Sequence, residues 1–411
     1  MKKQLLQLLF LVFGLMFFHQ SAMAQKFGYV FTGNQKRVTL PFEIVNNLIV
    51  IPVKVKGVTL RFILDTGVKN TLLVNRIYSD LLQIKYQRRI SLLGVDRNQE
   101  MSALVAPNIK MELAGIVNEN ETLVILEEDY LQFEKIFDAD IQGIIGYEFL
   151  RPFVVKIDYD RKVLVLYKHG KFKPRRRYKP YDLELNYGKP YLKSQLTFEN
   201  KDTFLANLLI DTGASFDLLL HVGVDTAITL PSKTLKGDLG RGLGGILDGL
   251  IGRVSNLDIM PYNFKEVITY YQDVESFEHL SELKTRHGIV GSGILGRFVV
   301  VLDYRNRTMY LKRGRKYKKP FLFNMSGIII ENGNNAGKSF RIKEVLPNTP
   351  GAAVDLRTGD EIIRLNGVRG SYLTRIFIKN IFKRRVGKKI RLTIIRDGQK
   401  IKKTFRLEKL I

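Results

Sequence analysis

The chain has 411 residues, no cysteine and no tryptophan, with 45% hydrophobic and 26% charged residues, a globular profile sized for two or three domains. Without cysteine there is no thiolate nucleophile, no iron–sulfur cluster, no Cys-ligated zinc and no lipidated cysteine. The formal charge of +26 becomes +24 (26 minus 2) if Lys2 and Lys3 leave with a leader, and residues 321–411 hold 20 Lys+Arg against 7 Asp+Glu, a net +13. Such a field attracts anionic partners, and for an exported chain an anionic membrane surface is expected rather than nucleic acid.

Residues 1–24 combine Lys2 and Lys3, an apolar run from Leu5 to Phe18, and small Ala22 and Ala24. That order predicts a cleaved secretory signal and an exported mature chain without a transmembrane helix. Beyond it, β-branched runs such as Asn47 to Lys56 and Val163 to Tyr167, broken by Gly, Asn and Asp, predict a mainly β fold with few, short helices.

The chain also repeats itself. Phe62-Ile63-Leu64-Asp65-Thr66-Gly67 returns as Leu208-Leu209-Ile210-Asp211-Thr212-Gly213, 146 residues on. Gly143-Ile144-Ile145-Gly146 and Phe153 to Tyr159 return as Gly288-Ile289-Val290-Gly291 and Phe298 to Tyr304, 145 residues on. Two equivalent units are therefore expected, joined by an exposed Pro- and Lys/Arg-rich connection over 169–180.

An apolar strand ending in Asp-Thr-Gly sets a carboxylate at the mouth of a tight turn. Two of them, in duplicated units, can meet about a pseudo-two-fold axis and bring Asp65 and Asp211 together, where they share one proton. Such a pair can hold a water, take its proton as it attacks a carbonyl, and protonate a leaving nitrogen.

With these motifs the chain resembles the pepsin-like and retropepsin-like aspartic proteases in their single-chain, two-lobed form, over roughly residues 26–315. The resemblance implies a two-lobed β-barrel repeat, an N-lobe at 25–168 and a C-lobe at 181–315. It makes Asp65 and Asp211 the catalytic pair, Thr66 and Thr212 an inter-lobe grip, and Gly67, Gly213 and Ser215 loop-shaping residues. Ile144, Ile145 and Gly146, with Ile289, Val290 and Gly291, are the implied buttresses. One departure is Val68-Lys69, where a small residue and then often a hydroxyl are expected; Lys69 is expected to turn its charge to solvent. Glycine-bearing flaps are expected at Ser91 to Gly94 and Leu239 to Gly245.

From Phe321 the pattern changes. Thr349-Pro350-Gly351-Ala352-Ala353, Gly359-Asp360 and Asn366-Gly367 resemble the PDZ domains of bacterial exported proteases, over 321–411. A helix is expected over Leu373 to Val386, and a hairpin from Ile390 to Leu407 turning at Asp397-Gly398. The resemblance makes Met325, Ser326, Gly327 and Ile328 a loop that captures a peptide carboxylate. His169, His221, His279 and His287 show no metal-ligand spacing and are read as structural. The expected function is aspartic endopeptidase, with no cofactor or metal, in the periplasm or cell envelope of a bacterium or secreted from it. Its expected partners are a polypeptide substrate, a C-terminal peptide on the PDZ domain and an anionic membrane surface. The competing expectation, favoured by Val68-Lys69, is a non-catalytic peptide-binding scaffold.

Overall fold

β-Branched and aliphatic runs with one buried face build almost everything here. In the strand Leu48–Val55 the side chains Ile49, Ile51, Val53 and Val55 are fully buried, with Pro52 and Lys54 exposed between the last of them, the period of two that a half-covered sheet selects. The computed structural model describes residues 28–93, 100–134, 139–242, 245–274, 285–333 and 339–411, and the expected signal segment 1–24 lies outside them. Among the described residues no helix is long and apolar enough to cross a membrane.

The two repeat units form two sheets of one topology. In the first, Val58–Leu64 runs parallel to Gly143–Ile145, which pairs antiparallel with Thr71–Leu73, itself parallel to Ile116–Leu126. In the second, Thr203–Ile210, Gly288–Val290, Leu218–Val222 and Tyr262–Asp273 repeat those pairings strand for strand. A third sheet joins the lobes, in the order Lys179–Asp182, Thr308–Arg313, Phe298–Asp303, Val154–Asp158, Val163–Tyr167, Arg37–Pro41. At its centre Val154 faces Asp303 and Asp158 faces Val299. Each pair is the other's repeat mate, so a pseudo-two-fold axis passes between these strands. Phe298–Asp303 is buried along its whole length, as a strand covered on both faces must be. One hydrophobic core, including Phe62, Leu64, Phe149, Leu208, Ile210 and Phe298, runs through both lobes.

The C-terminal domain has its own core, from Ile328 to Leu407, under the sheet Ile328–Asn332, Phe340–Val345, Glu361–Leu365, Lys389–Arg396, Gln399–Arg406. Its expected hairpin turns at Asp397 and Gly398, both at positive φ. The expected helix over 373–386 is shorter, Arg375–Phe382. Thr374 caps it by accepting from the Phe377 amide, and Leu373 is extended, so the helix starts two residues later than its apolar spacing suggested. The connection 169–180 is mostly irregular and exposed, but Lys179 and Pro180 add to the inter-lobe sheet. The domain is fastened to the second lobe. The Arg253 guanidinium donates to the Ile411 carbonyl at 3.2 Å and the Phe321 carbonyl at 3.4 Å. The Arg297 guanidinium lies 3.6 Å from the Phe321 ring centre.

Candidate active site

Each Asp-Thr-Gly begins where a strand outruns its partners. The Asp65 amide donates to the Ile145 carbonyl at 2.9 Å and the Asp211 amide to the Val290 carbonyl at 3.0 Å, so the expected buttress strands carry both aspartates. Ile144 and Ile289 pair beside Ile63 and Leu209 in the same ladders. A Cβ on Gly146 would stand 2.2 Å from the Val68 carbonyl oxygen, and one on Gly291 2.3 Å from that of Phe216. The buttress glycines therefore let each loop lie directly on its support.

The loops then meet. The Thr66 amide donates to Thr212 Oγ1 and the Thr212 amide to Thr66 Oγ1, at 3.1 and 3.0 Å. Both hydroxyls donate onward, to the Ile210 and Leu64 carbonyls. Each aspartate accepts from the amide two residues on, Gly67 and Gly213, at 2.7 Å. A Cβ on Gly213 would lie 2.2 Å from Asp65 Cγ, and one on Gly67 2.7 Å from Asp211 Oδ2. Only glycine leaves room for each carboxylate against the opposite loop. Ser215 contributes its backbone, its carbonyl accepting from Asn47 Nδ2 at 2.9 Å across the lobes.

Burial pushes both carboxyls above the ordinary aspartate value. Asp65 is raised well above it by burial first, then by the charge of Asp211 and the hydrogen bond between the two. On Asp211 burial is opposed by that same bond, by the Gly213 amide and by the positive charge of Arg286. With both carboxyls raised by burial, the pair holds one proton between them. That is the state in which a pair can both accept a proton from water and donate one to an oxygen or nitrogen.

The pair forms the floor of a cleft of about 1250 Å³, larger than a small-molecule site needs and suited to an extended chain. On the first-lobe side the walls are apolar, with Ile63, Leu72, Val124, Phe133 and Ile144. Lys69 stands at the rim and is exposed, as expected. The cation that Asp65 feels is Lys189, which the sequence reading passed over. The expected flaps belong to the equivalent hairpins Arg88–Leu93 with Glu100–Leu113 and Leu235–Gly242 with Gly245–Ile259. Leu92 lines the cleft, and the hairpin tips, Gly94 and Leu243-Gly244 among them, lie outside the described residues, as does His279.

One wall comes from the C-terminal domain. Ile376, Lys379, Asn380 and Lys383, one face of the Arg375–Phe382 helix and its cap, line the cleft, as do Pro320 to Asn324 of the connecting segment. Nearby Asp217 is pushed up to about 6 by burial, against the charges of Arg297, Lys383 and Arg253.

The expected carboxylate loop is tied down. Met325 donates its amide to the Phe382 carbonyl, Ser326 to Asn324 Oδ1 and Ile328 to Ser326 Oγ. Three of its four amides are thus engaged within the domain, while Gly327 sits at φ +73° against Thr349. The adjoining edge strand is capped as well. Asn324 Nδ2 donates to the Ile328 carbonyl at 2.8 Å and Arg375 Nη1 to the Ile330 carbonyl at 3.0 Å.

His221, expected to be structural, lines the cleft with Gln272 and Arg286. Sequence reasoning missed all three residues as a group, because 51 and 14 positions separate them along the chain.

Family models agree with this architecture. The aspartyl protease model matches residues 51–149 and the PDZ domain model residues 323–395. No curated protein matches the chain. The chain therefore carries an aspartyl protease domain on a mainly β, pepsin-like fold, followed by a C-terminal PDZ domain.

Proposed function

We propose that this chain is an exported aspartic endopeptidase in which a water held between Asp65 and Asp211 cleaves peptide bonds. The observation that carries the proposal is the mutual packing of the two loops, each glycine backed against the other lobe's aspartate. A binding cleft has no need of two carboxylates in repulsive contact. The ionised carboxylate of the Asp65–Asp211 pair takes a proton from the water as its oxygen bonds to the scissile carbonyl carbon, and the protonated partner gives its proton to the carbonyl oxygen. The gem-diol then collapses: the C–N bond breaks, the nitrogen takes a proton from the dyad, and the diol's proton restores the one the pair shares.

The PDZ domain supplies peptide recognition. With the Arg375–Phe382 helix walling the cleft, a peptide on this domain lies next to the aspartates. Residues 1–24 support export, into the periplasm, the cell envelope or the medium. The net +13 of residues 321–411 supports peripheral attachment to anionic lipid. Incubating the mature chain with a diverse peptide library in H₂¹⁸O tests the reaction: new C-termini bearing ¹⁸O are expected, and an absence of new termini at every pH from acid to neutral would overturn it.

A further inference from the structure

The two lobes repeat each other's ladders, yet one pocket differs in kind. Leu72 pairs with Ile144, and Leu219 with Ile289. Two residues further along, the Val74 amide donates to the Gln142 carbonyl as the His221 amide does to the His287 carbonyl, both at 3.0 Å. Leu72 also lies beside Val124, as Leu219 lies beside Tyr270. By this register Val74, Leu126 and Ile141 of the first lobe correspond to His221, Gln272 and Arg286 of the second. The first trio is buried and apolar, inside one hydrophobic cluster. The second is polar throughout and lines the cleft.

Two of the three, His221 and Arg286, also carry unsatisfied ring or guanidinium nitrogens. His221 is 2% exposed, and among the described residues neither of its ring nitrogens has a hydrogen-bond partner, nor has Arg286 Nε. Buried donors without acceptors are costly unless a ligand completes them. Arg286 acts electrostatically on Asp211, so the pocket adjoins the reacting pair. A guanidinium beside a neutral imidazole and a carboxamide offers several N–H groups to one planar anion, and a carboxylate fits that geometry.

We propose that His221, Gln272 and Arg286 form a carboxylate-binding subsite on the Asp211 side of the cleft, which selects peptides carrying a carboxylate beside the bond to be cut. The proposal rests on the endopeptidase reading for its position relative to the scissile bond. The opposite subsite, walled by Ile63, Leu72, Val124 and Ile144, takes an apolar side chain. The carboxylate has two sources, an internal Asp or Glu side chain or a free C-terminus, and both supply the same chemistry.

The test compares cleavage of peptide pairs that differ only in Glu against Gln at each position around the cut, and in a free acid against an amide at the C-terminus. The intact chain is expected to prefer one internal Glu, or the free terminus, by about tenfold or more. Arg286→Leu should bring that ratio to near one, and Arg286→Lys should keep part of it. Should Arg286→Leu not fold by circular dichroism, Gln272→Leu reads the same ratio. A ratio near one in the parent, or an unchanged ratio in the variants, would overturn the subsite and leave the endopeptidase reading standing. If the parent cleaves nothing, binding of the same peptides by fluorescence anisotropy decides. An Arg286-dependent preference for the acid keeps the subsite without the protease, and equal binding removes it.

Discussion

Thr66 and Thr212 hold each other's loops: each hydroxyl accepts from the other's backbone amide and donates to a carbonyl of the other's strand, Ile210 at 2.6 Å and Leu64 at 2.7 Å. Both are fully buried, so every group in this square depends on the others for a partner.

Thr212→Val keeps the shape and removes the hydroxyl. It leaves the Thr66 amide without its acceptor and the Leu64 carbonyl without its donor, at a cost of about 2–4 kcal/mol. Chemical denaturation of the variant beside the parent reads this directly, and a loss below about 0.5 kcal/mol would mean the loops do not depend on the square. Adding Thr66→Val should cost much less than a second equal step, because the square is already broken.

Gly213→Ala puts a Cβ where Asp65 stands, 2.2 Å from its Cγ. The carboxylate must swing away from its partner, and a displacement of that size at reacting groups costs about 100-fold in rate. Far-UV circular dichroism should stay that of the parent while peptide cleavage falls by at least that factor. Cleavage within a few-fold of the parent would show that the aspartates need not meet.

Asp217 gives a pH test of the domain junction. Its carboxyl is raised from 3.8 to about 6, so folding favours the protonated form. The stability this contributes is present in full below about pH 4 and is lost as pH rises through about 6. Asp217→Asn keeps the neutral shape at every pH. The variant should melt a few degrees above the parent at pH 7 and close to it at pH 4. A variant less stable than the parent at pH 7 would mean that the ionised Asp217 is held by Lys383 and the two arginines.

Arg375 caps the Ile330 carbonyl at 3.0 Å and Asn332 Oδ1 at 2.8 Å, on the edge strand where an added peptide strand would bond. Arg375→Ala uncovers that edge. Titration of the full chain with C-terminal peptides should show binding several-fold tighter in the variant. Unchanged or weaker binding would place the peptide elsewhere on the domain.

Much of this was legible in the sequence because the repeat carries it. Asp-Thr-Gly with its glycine recurs 146 residues on, and the Ile-Ile-Gly and Ile-Val-Gly buttresses recur 145 residues on, and local backbone demands at each fix the residue type. The polar pocket was hidden for the opposite reason. His221, Gln272 and Arg286 meet only through strand register, and a lone histidine reads as structural. Laying the repeats on each other at 145–147 residues, so that Val74, Leu126 and Ile141 meet their counterparts, would have exposed it. The helix that carries Ile376, Lys379, Asn380 and Lys383 was legible from its apolar spacing. Its docking at the cleft was not, because it depends on Arg253 and Arg297 gripping Phe321 and Ile411 from another domain. What the sequence did not show is that Asn324, just before the expected carboxylate loop 325–328, accepts from both the amide and the hydroxyl of Ser326.

The most direct test of the account is peptide cleavage by the mature chain beside Asp65→Asn and Asp211→Asn, measured from acid to neutral pH. The account predicts cleavage by the parent that extends above the ordinary aspartate range, since both carboxyls are raised, and a fall of about 1,000-fold or more in each variant. Cleavage that survives in either variant, at any pH, would contradict a reaction carried by the pair.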